Sequence, residues 1–579
     1  MYRLNQVKLN IYHSDTDFKN KIAKVARVSV DEIDWSTLII LHKAIDARDK
    51  NNILFVYNVA FDFVGENANN VGVNACRAIE KYEPIVFNPI IRGSHSSPIQ
   101  KGSHSSQVRP VVVGFGPAGI FASYIFALNG LKPIILERGK ALEDRIKDVD
   151  RFFETMELDE ESNVCFGEGG AGAFSDGKLN TNNKDKTGIY HFILETFVKF
   201  GADERILYES MPHIGTDKLV DVIKKIRDEI LLLGGEIHYN TKFTFKDRQT
   251  ALAPTVAKDT PVVLAIGNSS RDIFRELIEN GFSLKPKPFA IGYRIAHRQS
   301  MIDDVQYGEG SHSSPVQEGS RGLDRYEKLG PATYKLTYDV GNGHSVYSFC
   351  MCPGGYIINS SNYKGMLSIN GMSYNDRGGK YANSAIVETV SPEDILGSHS
   401  STIREGSSER GDAEKMIEFQ EMIERRAFEL EKGFIPYVAN AGSDICPEEV
   451  FKGRAKYCDK LKTVFDDLGL EFNINDDIEK ALRHFNRIIP GFFDEGSHSS
   501  PVREGSHSSP IQVGSPHYII AGVETRTSSP VKLDRDENYM CNVPNYYPCG
   551  EGLGHGGGII SCAADGVKVA LKICENLLK

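Results

Sequence analysis

The chain has 579 residues, 40% of them apolar, and a formal net charge of −11. That length supports about three to four domains with substantial cores, and the acidic balance argues against a general nucleic-acid or anionic-membrane binder. Ten cysteines are scattered behind a polar, charged N-terminus without a signal-peptide core, which points to reduced thiols and a cytoplasmic protein.

Residues 1–92 read as a small α/β module. Strands are predicted over Asn5–Tyr12 and Asn52–Asp62, and helices over Asp17–Ala26 and Thr37–Asp46. A nine-residue unit, GSHSSPIQK or a variant, then recurs at Gly93, Gly102, Gly310, Gly397, Gly496 and Gly505. Rich in Gly, Ser and Pro, each copy buries too little apolar surface to offset its ordering entropy and reads as an exposed loop. Its histidines, His95, His104, His498 and His507 among them, have no fixed geometry for a metal, so no metal site is expected. The tandem pair over 93–108 reads as a linker.

Val111–Gly139 follows as a strand, turn, helix and second strand. Val111, Val112 and Val113 suit a buried parallel strand, and Gly114, Gly116 and Gly119 fit G-x-G-x-x-G. Ile120–Leu128 is an apolar helix whose N-terminal N–H groups would face phosphates, ending at Asn129 and Gly130. Pro133–Leu136 forms the next strand, and Glu137 at its end can accept hydrogen bonds from both ribose hydroxyls. Val111–Leu131 lacks charge and is long enough to cross a bilayer, but its glycines and Pro117 break it, so no membrane association is expected.

Two further G-x-G-x-x-G matches lack this context. Gly167, Gly169 and Gly172 precede AFSDGKLN, which has no helical period, and Gly552, Gly554 and Gly557 open a helix over Ile559–Leu578 with no later strand. Between them Thr216–Leu233 reads as a helix, and Glu236–Phe243 and Val262–Gly267 as strands. The Ala-x-Gly end of the last leaves room for a nucleotide. The run SVYSFCMC places Cys350 and Cys352 on one face of a strand, as buried small hydrophobes or as redox partners. Glu168, Asp176, Lys178 and, as a weak catalytic candidate, His555 are polar enough to face a ligand. The middle region, Lys285–Phe493, shows no arginine clamp, metal cluster or nucleophile–base pair that fixes a reaction class.

GFGPAG with LERG, then ESNVCFGEGGAGAFSDGKLNT, PHIGTDKL, VVLAIGNSSRD, KPFAIGYRI, FCMCPGGYIINSS and YPCGEGLGHGGGI together resemble the bacterial NAD(P)/FAD-dependent oxidoreductases usually described as uncharacterised FAD-dependent dehydrogenases. The resemblance implies an α/β fold: a Rossmann-like, glutathione-reductase-type FAD-binding domain over 109–284 and 514–579, with an inserted α+β substrate domain over 285–513. It also implies FAD at the first fingerprint. The cofactor-binding residues expected on this basis are Gly114, Gly116, Ala118 and Gly119 at the pyrophosphate and Glu137, with Arg138 beside it, at the ribose. Gly169 and Gly170 would pack beside the isoalloxazine, Glu551, Gly558 and Ile559 would lie along the ribityl chain and flavin, and Gly267 and Gly550 are also expected against the cofactor. The function implied is transfer of a hydride or electron pair between a small-molecule substrate and the flavin, with NAD(P)H as a possible donor working through the substrate cleft. Two alternatives stay open: a flavin-containing binding or regulatory protein that recruits a partner through its N-terminal module, and a thiol or disulfide reductase using Cys350 and Cys352.

Overall fold

The structure is a computed structural model, and it describes residues 1–64, 79–91, 108–181, 184–245, 259–308, 327–397, 409–433, 461–493 and 518–578. Apart from Gly397, the repeat copies and their histidines lie outside the described residues. The chain divides into two units, one formed by Met1–Phe87, Lys178–Ile214 and Gln299–Thr333, the other by Asn88–Gly177, Gly215–Arg298 and Tyr334–Lys579.

In the first unit an antiparallel sheet of order β2-β3-β1-β4 is built from β1 (Tyr2–Asn10), β2 (Ile33–Asp46), β3 (Leu54–Phe63) and β4 (Ile79–Lys81), with helix α1 (Asp15–Ala26) after β1. A full capping box at Ser14 and Asp17 starts α1. The helix predicted over Thr37–Asp46 is in fact part of β2. Its apolar residues recur at helical spacing, but from Ile39 to Asp46 the segment pairs along β3, and this tertiary pairing overrides the local pattern.

The second unit starts with three-residue strands that are buried throughout: β5 (Val111–Val113), β6 (Ile134–Leu136) and, beyond the half-exposed β7 (Glu236–His238), β8 (Val262–Leu264). Continuous Val, Ile and Leu suit a parallel sheet covered on both faces. The strand expected over Glu236–Phe243 keeps only its first residues. An antiparallel sheet follows, with β9 (Phe289–Arg298), β10 (Thr337–Gly341), β11 (His344–Cys352), β12 (Tyr381–Val390) and β13 (Tyr518–Glu524) in the order β10-β11-β12-β9-β13. The chain then returns as β14 (Tyr546–Pro548), completing a five-stranded parallel sheet of order β14-β8-β5-β6-β7. In chain order these strands run 5-4-1-2-3, so the direction of winding switches between β5 and β8, where open parallel sheets form a crevice beyond the carboxyl ends of their strands.

Seven helices of this unit matter below: α2 (Pro117–Leu128), α3 (Leu142–Thr155), α4 (Thr216–Leu232), α5 (Arg271–Glu279), α6 (Glu409–Glu431), α7 (Ile474–Ile488) and α8 (Ile559–Leu577). Helix α2 is buried from Ala118 to Ala127 and packs on α8. Each fully buried Ile or Phe on it contributes roughly 1.5–3 kcal/mol.

The expectation that Cys350 and Cys352 share a strand face is corrected by a β-bulge. Phe349 pairs with Ala385 and Cys352 with Asn383, so one extra residue enters β11 between them, and Cys350 takes a φ of 45°. Cys352 is therefore buried on the face of Phe349, and its Sγ donates to the Cys350 carbonyl at 3.3 Å.

Candidate functional site

The strands β5, β6, β8 and β14 end at one edge, and Gly114, Glu137, Gly267 and Gly550 each stand just past one of those ends. Gly114 has φ 94°, and a methyl group there would collide with the Ala265 carbonyl of the neighbouring strand end. Its N–H donates to Leu136 O at 2.8 Å. A side chain at Gly119 would strike the Gly114 carbonyl, so this glycine lets α2 rise directly from the turn. Gly116 is the N-cap of α2 and supplies no side-chain cap, with Pro117 at the first turn. The first N–H groups of the helix are thus left for an anion, reinforced by the helix dipole. Ala118 is buried and packs against Gly550.

Glu137 is 4% exposed and already committed. Its Oε2 accepts from Phe115 N at 2.8 Å, and its Oε1 from Gly139 N at 2.9 Å and Gly167 N at 3.0 Å. Three of a carboxylate's roughly four acceptor sites are filled. The expected pair of ribose hydroxyls therefore meets room for one.

Arg138 points into a polar network. It donates to Glu161 at 2.8 Å, grips Asp272 with both terminal nitrogens at 3.1 and 3.0 Å, and stacks on Phe166 at 3.9 Å from the ring centre. Burial would raise the Asp272 carboxyl, but Arg138 and Lys242 outweigh it and hold the group at about 2.

The Gly167–Gly172 loop lies on the first turn. Gly169 N donates to Phe115 O at 2.8 Å, and a Cβ on Gly170 would sit 3.0 Å from the Gly116 Cα. Glu168 and Asp176 are buried in this region and internally tied. Glu168 accepts from Leu142 N at 2.9 Å and Arg227 at 3.1 Å, while Asp176 binds Ser373 and Arg377. Lys178 belongs to the first unit, where it bridges to His213.

At the other side of the edge Glu551 accepts from Asn268 Nδ2 at 3.0 Å, and burial pushes its carboxyl up to about 7. Gly558, with φ 81°, is the uncapped N-cap of α8, and Ile559 is its first, buried residue. A methyl group built on Gly267, Gly557 or Gly558 meets no heavy atom within 4 Å, so this glycine cradle borders free space. His555 is held by the backbone: its N–H donates to Gly550 O at 2.9 Å and its Nε2 to Leu533 O at 2.7 Å, and burial lowers its pKa.

The residue that sequence reasoning missed is Arg145. It sits between Leu142 and Val149 on the buried stripe of α3, so a charged residue at an apolar position was the available signal. Among the described residues no group of three or more His, Cys, Asp or Glu is placed to hold a metal ion. Also among them, no helix is long and apolar enough to cross a membrane.

Comparison with known proteins gives two family matches. The model of FAD-dependent protein, C-terminal domain-like, matches residues 288–501, and a domain of unknown function matches residues 1–62. An uncharacterised protein of Clostridium beijerinckii is 37% identical over 593 residues, spanning 99% of this chain and 98% of its own. Among solved structures, L-amino acid deaminase from Proteus vulgaris is 12% identical with a TM-score of 0.20, over 35% of this chain and 56% of its own length. CtdE in complex with FAD is 11% identical, TM-score 0.27, over 81% and 84%. The 3-ketosteroid-delta4-(5alpha)-dehydrogenase from Rhodococcus jostii is 13% identical, TM-score 0.26, over 83% and 99%.

Proposed function

Since the chain belongs to one family with the Clostridium beijerinckii protein, a family of FAD-dependent proteins by the match over 288–501, we propose that it is a cytoplasmic FAD-dependent oxidoreductase acting on a small-molecule substrate. The observation that carries this reading is the gathering of Gly114, Glu137, Gly267 and Gly550 at the carboxyl edge of the parallel sheet, beside a glycine cradle with space in front of it. In this reading the parallel sheet is a Rossmann-like domain of the glutathione-reductase type, and the antiparallel sheet belongs to a substrate domain.

The turn at Gly114, Gly116, Ala118 and Gly119 and the N-terminus of α2 would hold the pyrophosphate, and Glu137 one hydroxyl of the adenosine ribose through its remaining acceptor site. Glu551 and the segment from Gly557 to Ile559 would lie along the ribityl chain and ring. FAD, when bound, supplies the transfer of a hydride or an electron pair. The N-terminus of α8 favours negative charge developing in front of it. With Nε2 engaged by Leu533, His555 orients the glycine turn. NAD(P)H is the proposed donor, entering through the substrate cleft.

The test is direct. Purified protein is expected to be yellow and to bleach when NADH or NADPH is added without oxygen. Colourless protein that refuses reconstitution with FAD would overturn the proposal.

A further inference from the structure

A guanidinium buried to 0% exposure lies behind the candidate phosphate turn, and it is satisfied by backbone alone. Arg145 donates from Nε to Asn163 O at 2.9 Å, from Nη2 to Val164 O at 3.0 Å, and from Nη1 to Gly167 O at 3.2 Å and Glu168 O at 2.5 Å. It also lies over the Phe174 ring, 4.8 Å from its centre. Burial lowers its pKa to about 10, which leaves it charged at neutral pH.

The same backbone is held from the opposite side by Glu137. Gly167 gives its carbonyl to Arg145 and its N–H to Glu137 at 3.0 Å. The Glu168 carbonyl accepts from Arg145, while the N–H of the same peptide, on Gly169, donates to Phe115 O at 2.8 Å, and Phe115 N in turn donates to Glu137 at 2.8 Å. Two connections thus run from the cation to the anion, one through the Cα of Gly167 and one through the Cα of Phe115. Of the peptides along them, the Glu168–Gly169 peptide is bonded at both ends, and there Arg145 on the carbonyl polarises the N–H that Phe115 accepts. The position at Gly167 is glycine for a reason visible here, since a side chain would strike Arg145 Cδ.

Resting on the FAD reading above, we propose that Arg145 is a positioning residue for the phosphate-binding turn. With Glu137 it strings Phe115 and Gly167 between a buried cation and a buried anion, and so fixes where α2 presents its first N–H groups. The two glycine loops then move as one body, and neither charge can be neutralised without releasing both.

The test measures binding of FAD, ADP and riboflavin by titration calorimetry to wild type, Arg145→Lys, Arg145→Met, Gly167→Ala and the Met/Ala double variant, with folding checked by circular dichroism. ADP carries the adenosine and pyrophosphate without the flavin, and riboflavin carries neither. Arg145→Met is expected to bind FAD and ADP at least about 10-fold more weakly with riboflavin binding changed little. Arg145→Lys should recover part of the loss, and the double variant should be no weaker than Arg145→Met, because both substitutions open one clamp. Folded Arg145→Met that binds ADP within twofold of wild type overturns the proposal, as do additive losses in the double variant. If Arg145→Met does not fold, Arg145→Lys and Gly167→Ala carry the same measurement, and wild-type ADP affinity in both overturns it. Wild type that binds neither FAD nor ADP removes the cofactor reading instead.

Discussion

Asn268 donates from Nδ2 to Glu551 Oε1 at 3.0 Å, tying the segment after β8 to the segment after β14 across the edge of the parallel sheet. These residues are far apart in the chain, and each stands next to a glycine of the crevice, Gly267 or Gly550. Glu551 is half-buried there, and desolvation pushes its carboxyl up to about 7 against the lowering effect of the Asn268 bond.

That shift has a stability signature. A buried carboxyl whose folded pKa lies above its unfolded value stabilises the fold fully below the unfolded value, near 4.3. The contribution is lost as pH rises through about 7. Glu551→Gln carries no such titration. Its melting temperature relative to wild type is expected to rise between roughly pH 4.3 and 7 and then level off. A flat difference across pH 4 to 8 would contradict the burial.

Gly114→Ala introduces a side chain at φ 94° and against the Ala265 carbonyl. Strain of this kind costs about 1–3 kcal/mol before any shift of β8. The variant should melt several degrees lower and retain less flavin per mole of folded protein, read by differential scanning calorimetry and visible absorbance.

Glu424 on α6 is 0% exposed and accepts from Arg271 at 2.8 and 2.7 Å, from Arg526 at 2.9 and 2.8 Å, and from Thr525 at 2.6 Å. The two guanidiniums hold its carboxyl far below the ordinary range despite its burial. Replacing it with Gln leaves two buried cations without their shared anion, at a cost of about 3–5 kcal/mol. Denaturant unfolding should show that loss; a change below about 1 kcal/mol would mean that solvent reaches the cluster.

Cys352→Ser separates a structural thiol from a redox one. The side chain is fully buried beside a bulge that turns Cys350 off its strand face. Turnover with the flavin donor is expected to persist, while stability falls by about 1 kcal/mol through the burial of a more polar group. Loss of turnover in protein that still folds would restore the thiol reductase reading.

Much of the candidate site was legible because its pieces are short and local. Gly114, Gly116 and Gly119 are spaced by the geometry of one strand-turn-helix unit, and Glu137 stands at the end of the strand that immediately follows, so their arrangement is written in consecutive residues. The helices over Thr216–Leu232 and Ile559–Leu577 announced themselves by apolar period and by glycines at their ends. Thr37–Asp46 was not legible, because a segment with helical apolar spacing becomes a strand when β3 offers it a ladder.

By itself the sequence determined the strand, the three-glycine turn, the helix and the acid at the end of the next strand, since those requirements act over a few bonds of backbone. Only the tertiary structure decided that Glu137 spends three acceptor sites on the protein's own N–H groups, that a bulge opposite Ser384 parts Cys350 from Cys352, and that Arg145 gathers the carbonyls of Asn163, Val164, Gly167 and Glu168. The reason is that a hydrogen bond or a buried charge is satisfied by whatever the fold brings within about 3 Å, and no spacing along the chain encodes that partner.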